Sequence, residues 1–77
     1  LLDVFGSVAR VLLEFSDQVG GVRVVKSKLL REEIAKMIGA SREMVSRVMK
    51  GLEVDGYIVP APEGRLVLRE KLSSYLH

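Results

Sequence analysis

The strongest constraint in this chain is a glycine, Gly39, set between two short segments of helical apolar spacing. Ile34, Ala35 and Ile38 recur on one face ahead of it, and Val45, Val48 and Leu52 recur behind it. A short helix from about Arg31 to Ile38 must therefore break at Gly39, which supplies a left-handed or otherwise unusual backbone turn. Ser41 then caps a second helix running to about Asp55, with Gly56 just past its end. Two helices crossing steeply through a tight turn need a small residue at the crossing, a glycine in the turn and apolar residues inward. Ala35, Gly39 and the set Ile34, Ile38, Val45 and Val48 meet those needs. The spacing predicts a helix-turn-helix.

The flanks complete the outline. Val4, Phe5, Val8, Val11, Leu12 and Phe15 repeat at three- and four-residue steps, an amphipathic helix with Asp3 as N-cap. Gly20-Gly21 is read as its end, and the β-branched run Val22 to Val25 as an edge strand. Lys26 to Lys28 form a basic connector. Tyr57-Ile58-Val59 and Leu66-Val67-Leu68 read as a hairpin whose tip is Pro60-Ala61-Pro62-Glu63-Gly64. Pro60 and Pro62 argue against pairing right up to that tip. Glu70 to Leu76 is either a last short helix or a frayed tail. Met37, Met44 and Met49 read as core filler, and Tyr57 and Tyr75 as isolated packing residues. The order predicts a mainly α chain with a small β wing, a winged helix-turn-helix occupying residues 1–77 as one domain.

Composition narrows the function. With 77 residues and 48% apolar content, one core is possible and a deep cavity would compete with it. The absence of cysteine removes disulfides, thiolate metal sites and cysteine nucleophiles, and fits a reducing cytoplasm. No apolar run approaches the roughly 20 residues of a bilayer span, and no signal peptide opens the chain. The expected location is cytoplasmic, with no membrane partner. A start at Leu1-Leu2 reads as a piece of a longer chain. The single histidine, His77, is terminal, and Glu32, Glu33, Glu43 and Glu53 fall on outward helix faces without a convergent partner, so catalysis is not expected.

The net charge of +2 permits nucleic-acid binding without requiring it. Placement decides more. At roughly 100° per residue, Arg42, Glu43, Ser46, Arg47 and Lys50 fall within an arc of about 140°, opposite the core face of the same helix. An arginine fork matches guanine O6 and N7, and a glutamate accepts from cytosine N4. Arg42 and Glu43 lie at the helix N-terminus, the end that enters the groove in this motif. Glu43 would be repelled by phosphates unless it read a base or paired with Arg47 four residues on. Base-reading candidates are therefore Arg42, Glu43, Arg47 and Ser46. Phosphate candidates are Lys26, Ser27, Lys28, Arg31, Ser41, Lys50 and Arg65. The rival reading is a winged helix that binds a protein partner without specific DNA binding. Such a module loses the arginines of its third helix and exposes apolar residues there.

Arg31-Glu32-Glu33-Ile34-Ala35 through Gly39-Ala40-Ser41-Arg42-Glu43-Met44-Val45-Ser46-Arg47 resembles the DNA-binding domain of the Crp/Fnr family of bacterial transcription regulators. Leu52-Glu53, Gly56-Tyr57-Ile58 and Gly64-Arg65-Leu66-Val67-Leu68 extend the likeness through the wing, and Asp3-Val4 with Val8 to Leu13 matches the entry helix. The resemblance implies that Arg42, Glu43 and Arg47 read a TGTGA-like half-site. It further implies dimers on palindromic DNA, recruitment of RNA polymerase, and an N-terminal sensor domain for a cyclic nucleotide or other effector joined to a dimerising helix. Sensor and dimerising helix are absent from these residues, so this chain is expected to hold no cofactor itself. Two positions depart from the pattern. Leu30 stands where the family has a capping threonine, and the wing tip is proline-rich and acidic at Glu63.

Overall fold

The computed structural model describes residues 3–25 and 29–75. The first helix, α1 (Val4–Glu14), starts where the Asp3 carboxylate accepts the Gly6 N–H. Its inner face buries Val8, Ala9, Val11 and Leu12. It ends six residues earlier than the glycine pair would place its stop. The Ser16 hydroxyl donates to the Leu13 carbonyl at 2.6 Å and turns the chain out. Asp17–Val19 then forms a strand, β1, antiparallel to β2 (Val22–Val25). Gly20 and Gly21, at φ 56° and 80°, are the link between these strands and not a helix stop. Two consecutive left-handed residues are what a two-residue hairpin connection requires.

This hairpin corrects the reading of β2 as an edge. The sheet order is β1-β2-β4-β3, so β2 lies inside, paired to β1 on one side and to β4 (Leu66–Leu68) on the other. The edge strand in the wing is β3 (Ile58–Pro60), and its pairing with β4 reaches Pro60 opposite Leu66. That overturns the expectation that the prolines keep the tip unpaired. The Ala61 N–H donates to the Arg65 carbonyl at 2.9 Å and the Arg69 N–H to the Tyr57 carbonyl at 2.9 Å. Strand alternation therefore aims the Pro60 nitrogen at the free edge, where its missing donor costs nothing. A short 3₁₀ turn, Pro62–Gly64, forms the tip.

Between the two hairpins stand α2 (Arg31–Ile38) and α3 (Arg42–Val54), on the expected bounds. Gly39 is left-handed at φ 71°, and the Ser41 hydroxyl accepts the Met44 N–H at 3.1 Å. The last element, α4 (Glu70–Tyr75), resolves the tail as a helix. One core joins these parts: Val8 and Leu12 of α1, Ile34 of α2, Val45 and Leu52 of α3, Val25, Ile58 and Leu68 of the sheet, and Leu72 of α4. Phe5 meets Tyr57 edge-on at 6.0 Å, tying α1 to the wing. Of the three methionines only Met49 is core. Met37 and Met44 are 49% and 42% exposed, because each sits at the margin of its helix's apolar face. The chain is a winged helix-turn-helix, mainly α with a small antiparallel sheet.

Leu30 occupies the N-cap of α2 in extended backbone and offers no side-chain acceptor. Half of a reciprocal cap nevertheless forms, since the Glu33 carboxylate accepts the Leu30 N–H at 3.0 Å. A hydroxyl at position 30 would supply the other half. Leu30→Thr is expected to add about 1 kcal/mol and to raise the melting temperature by about 4–8 °C for a domain this small. An unchanged melting curve by circular dichroism would refute it.

Candidate nucleic-acid interface

Helix α3 carries two faces because thirteen residues of helical spacing alternate apolar and polar arcs. Val45, Met49 and Leu52 are buried, while Arg42, Glu43, Arg47 and Lys50 are exposed and Ser46 is half-buried. The core grips one side, so the other must face outward. No pair of buried polar groups complicates this arrangement among the described residues.

The outward face has two stripes. Arg42, Ser46 and Lys50 line one shallow groove together with Arg31 from the start of α2 and Glu53. Glu43 and Arg47 lie further round and do not border it. A second groove brings Arg31 and Arg42 beside Gly64 and Leu66 of the wing. The fold thus gathers the start of α2, the start of α3 and the wing around one region in which Arg31, Arg42 and Lys50 stand with Glu32 and Glu53. Glu43 and Arg47 do not form an ion pair. The wing holds one instead, Arg65 to Glu63 at 3.7 Å. The Ser41 hydroxyl oxygen is occupied as the α3 cap, which leaves its proton free to donate outward. Lys26, Ser27 and Lys28 lie outside the described residues, as do His77 and the side chain of Tyr75. Glu32, Glu33, Glu43 and Glu53 are all exposed.

Two supporting residues escaped the sequence reading. Glu33 forms the half cap just described, and its signal was the spacing of three from the N-cap. Lys71 of α4 donates to the Asp55 carbonyl at the end of α3 at 2.7 Å and lies 4.7 Å from the Tyr57 ring centre. A cation at a helix C-terminus opposes the helix dipole there. Lys71 is sixteen residues from Asp55, so no local spacing announces the contact.

Residues 6–75 match the model of the Crp-like helix-turn-helix domain. The chain belongs to that family. It is 43% identical over 60 residues to the cAMP-activated global transcriptional regulator Vfr of Pseudomonas aeruginosa, covering 74% of this chain and 28% of that protein. It is 41% identical over 70 residues to a CRP-like cAMP-activated global transcriptional regulator of Mycobacterium tuberculosis, covering 86% of this chain and 30% of that one. In structure it is similar to the reduced CO-sensing protein from R. rubrum, with a TM-score of 0.77 at 23% identity over 94% of this chain and 36% of the other. A CRP/FNR-family regulator from Thermus thermophilus gives 0.73 at 26% identity, over 96% of this chain and 40% of the other. The chain spans under a third of the length of the curated relatives. No helix among the described residues is long and apolar enough to cross a membrane.

Proposed function

We propose that this Crp-like domain reads duplex DNA in the major groove with α3, at TGTGA-like half-sites. Arg42, Glu43 and Arg47 are the base readers and Ser46 an auxiliary contact. The observation that carries this reading is the outward face of α3, where Arg42 and Glu43 at the helix N-terminus and Arg47 beyond them are all exposed. Bidentate arginine contacts to guanine and a carboxylate contact to cytosine match two adjacent G·C pairs. Glu43, unpaired to Arg47 in the free domain, has its acceptors available for a cytosine amine.

Arg31 and Lys50, flanking the groove that Arg42 lines, contact phosphates on either side. Ser41 donates its free hydroxyl proton to another. Lys26, Ser27 and Lys28, which precede α2 in sequence, are further phosphate candidates, as is Arg65 of the wing, which Glu63 holds in the free domain. In the longer protein, a homodimer places two copies on a palindrome, an effector such as a cyclic nucleotide binds a separate sensor domain, and RNA polymerase is the downstream partner. Met44 and Val54, 42% and 75% exposed on α3, are the features a protein-binding winged helix would use. They lie ten residues apart, roughly 15 Å along the helix axis, whereas Arg42 and Lys50 line one groove together with Arg31.

The test is binding of the domain to a fluorescent TGTGA palindrome and to a scrambled duplex across a salt series. Preference for the palindrome should grow by about 1–3 kcal/mol for each matched base pair read. Four net phosphate contacts would give a log–log salt slope of about −3.6. Equal binding to both duplexes, or binding that ignores salt, would overturn the reading.

A further inference from the structure

We infer that Glu63 weakens the wing's grip on DNA by holding Arg65 in an ion pair that offsets its charge toward the phosphate Arg65 would otherwise meet; this rests on the duplex-binding reading above. Glu63 is the only non-glycine described residue with a positive φ, at φ 65° and ψ 30°. A side chain with a Cβ is disfavoured there, and glycine is the residue such a turn ordinarily takes. The fold therefore gains nothing from glutamate at this place. Gly64 follows at φ 73°, so two consecutive left-handed residues turn the chain sharply at the tip.

Arg65 is fixed by its backbone. Its N–H donates to the Pro62 carbonyl at 3.4 Å, and its carbonyl accepts from Ala61 at 2.9 Å. Only its side chain can swing, and Glu63 Oε2 lies 3.7 Å from its guanidinium. Both side chains are well exposed, at 79% and 51%, so the pair adds little to stability. What it does add is a charge next to the candidate interface: Gly64, between the two, borders the groove shared by Arg31 and Arg42. A phosphate approaching the wing meets an ion pair of net charge zero in place of a free arginine. Glu63 is thus a positioning residue acting through Arg65. Its effect falls on sequence-independent affinity, because phosphate contacts carry no base information. Lowering that term weakens specific and non-specific binding by the same factor and leaves their ratio unchanged.

The experiment uses this domain with Glu63→Gln, Arg65→Ala and the double variant, on the TGTGA palindrome and on scrambled DNA, over a salt series. Glutamine keeps the backbone conformation and removes the charge. Glu63→Gln should bind both duplexes roughly two- to fivefold more tightly, the range an exposed ion pair spans. Its log–log salt slope should steepen by about 0.9, one added phosphate contact. Arg65→Ala alone should change the slope little, and the double variant should lose the gain. An unchanged slope and affinity in Glu63→Gln overturns the inference while leaving duplex binding intact. So does a shallower slope in Arg65→Ala alone, since Arg65 would then already be engaged. Failure of the parent domain to bind either duplex would overturn the duplex-binding reading and this inference with it.

Discussion

Leu52→Ala is expected to cost about 2–5 kcal/mol, the range for emptying a filled leucine site in a core. Leu52 is fully buried and lies on α3 where helix and sheet share the core. Its own backbone is also committed, since its carbonyl accepts the Tyr57 N–H at 2.8 Å as the chain leaves the helix. A domain of 77 residues has on the order of 4–12 kcal/mol in total. The substitution therefore consumes a large share of that stability, and at the unfavourable end it leaves a chain that is substantially unfolded. Urea unfolding followed by circular dichroism should show the midpoint falling with the slope unchanged. Leu52→Met, which conserves volume, should cost less than about 1.5 kcal/mol. A loss below 1 kcal/mol for Leu52→Ala would mean that the site collapses around the gap, and that α3 is held elsewhere. DNA binding should fall only with the folded fraction, because this side chain faces away from Arg42 and Arg47.

The helix-turn-helix was legible because its signals are local. Gly39, Ser41 and the apolar spacing of Ile34, Ala35 and Ile38 lie within one turn of what they control, and α2 and α3 fall where those residues put them. The first hairpin was not legible, since β1 is three exposed residues with no alternation and exists only by pairing with β2. Gly20-Gly21 reads equally as a helix stop or a turn until that pairing is known. The same limit hid Lys71, whose partner is sixteen residues away. Within the candidate site, the exposure of Arg42, Glu43 and Arg47 followed from the helical wheel. The pairing of Glu43 with Arg47 did not, and the reason is energetic. An exposed pair at this spacing gains only about 0.3–0.5 kcal/mol, too little to hold two long side chains in one geometry. Met37 and Met44 show the complementary lesson: a residue type suited to cores is not in the core when it sits at the margin of its arc.

Arg42→Ala is expected to weaken binding to the TGTGA palindrome by about 1–3 kcal/mol per half-site, with the loss confined to one base pair. Arg42 is the first residue of α3, is exposed, and sits where three elements converge. Removing a bare charge would weaken every duplex about equally and make the salt slope shallower by about 0.9. Removing a base reader acts differently. On DNA in which the contacted G·C pair has been replaced, parent and variant should bind alike, because the parent has already lost its partner. Arg42→Lys separates the two roles further, since an ammonium keeps the charge but has no planar fork. It should keep the parent's salt slope without restoring the base preference. The measurement is affinity across single-base variants of the half-site for the parent, Arg42→Ala and Arg42→Lys, with thermal melts to confirm folding. A loss of similar size on every sequence would reassign Arg42 to the phosphate track with Arg31 and Lys50. Base reading would then rest on Glu43 and Arg47, the stripe that lies clear of the groove.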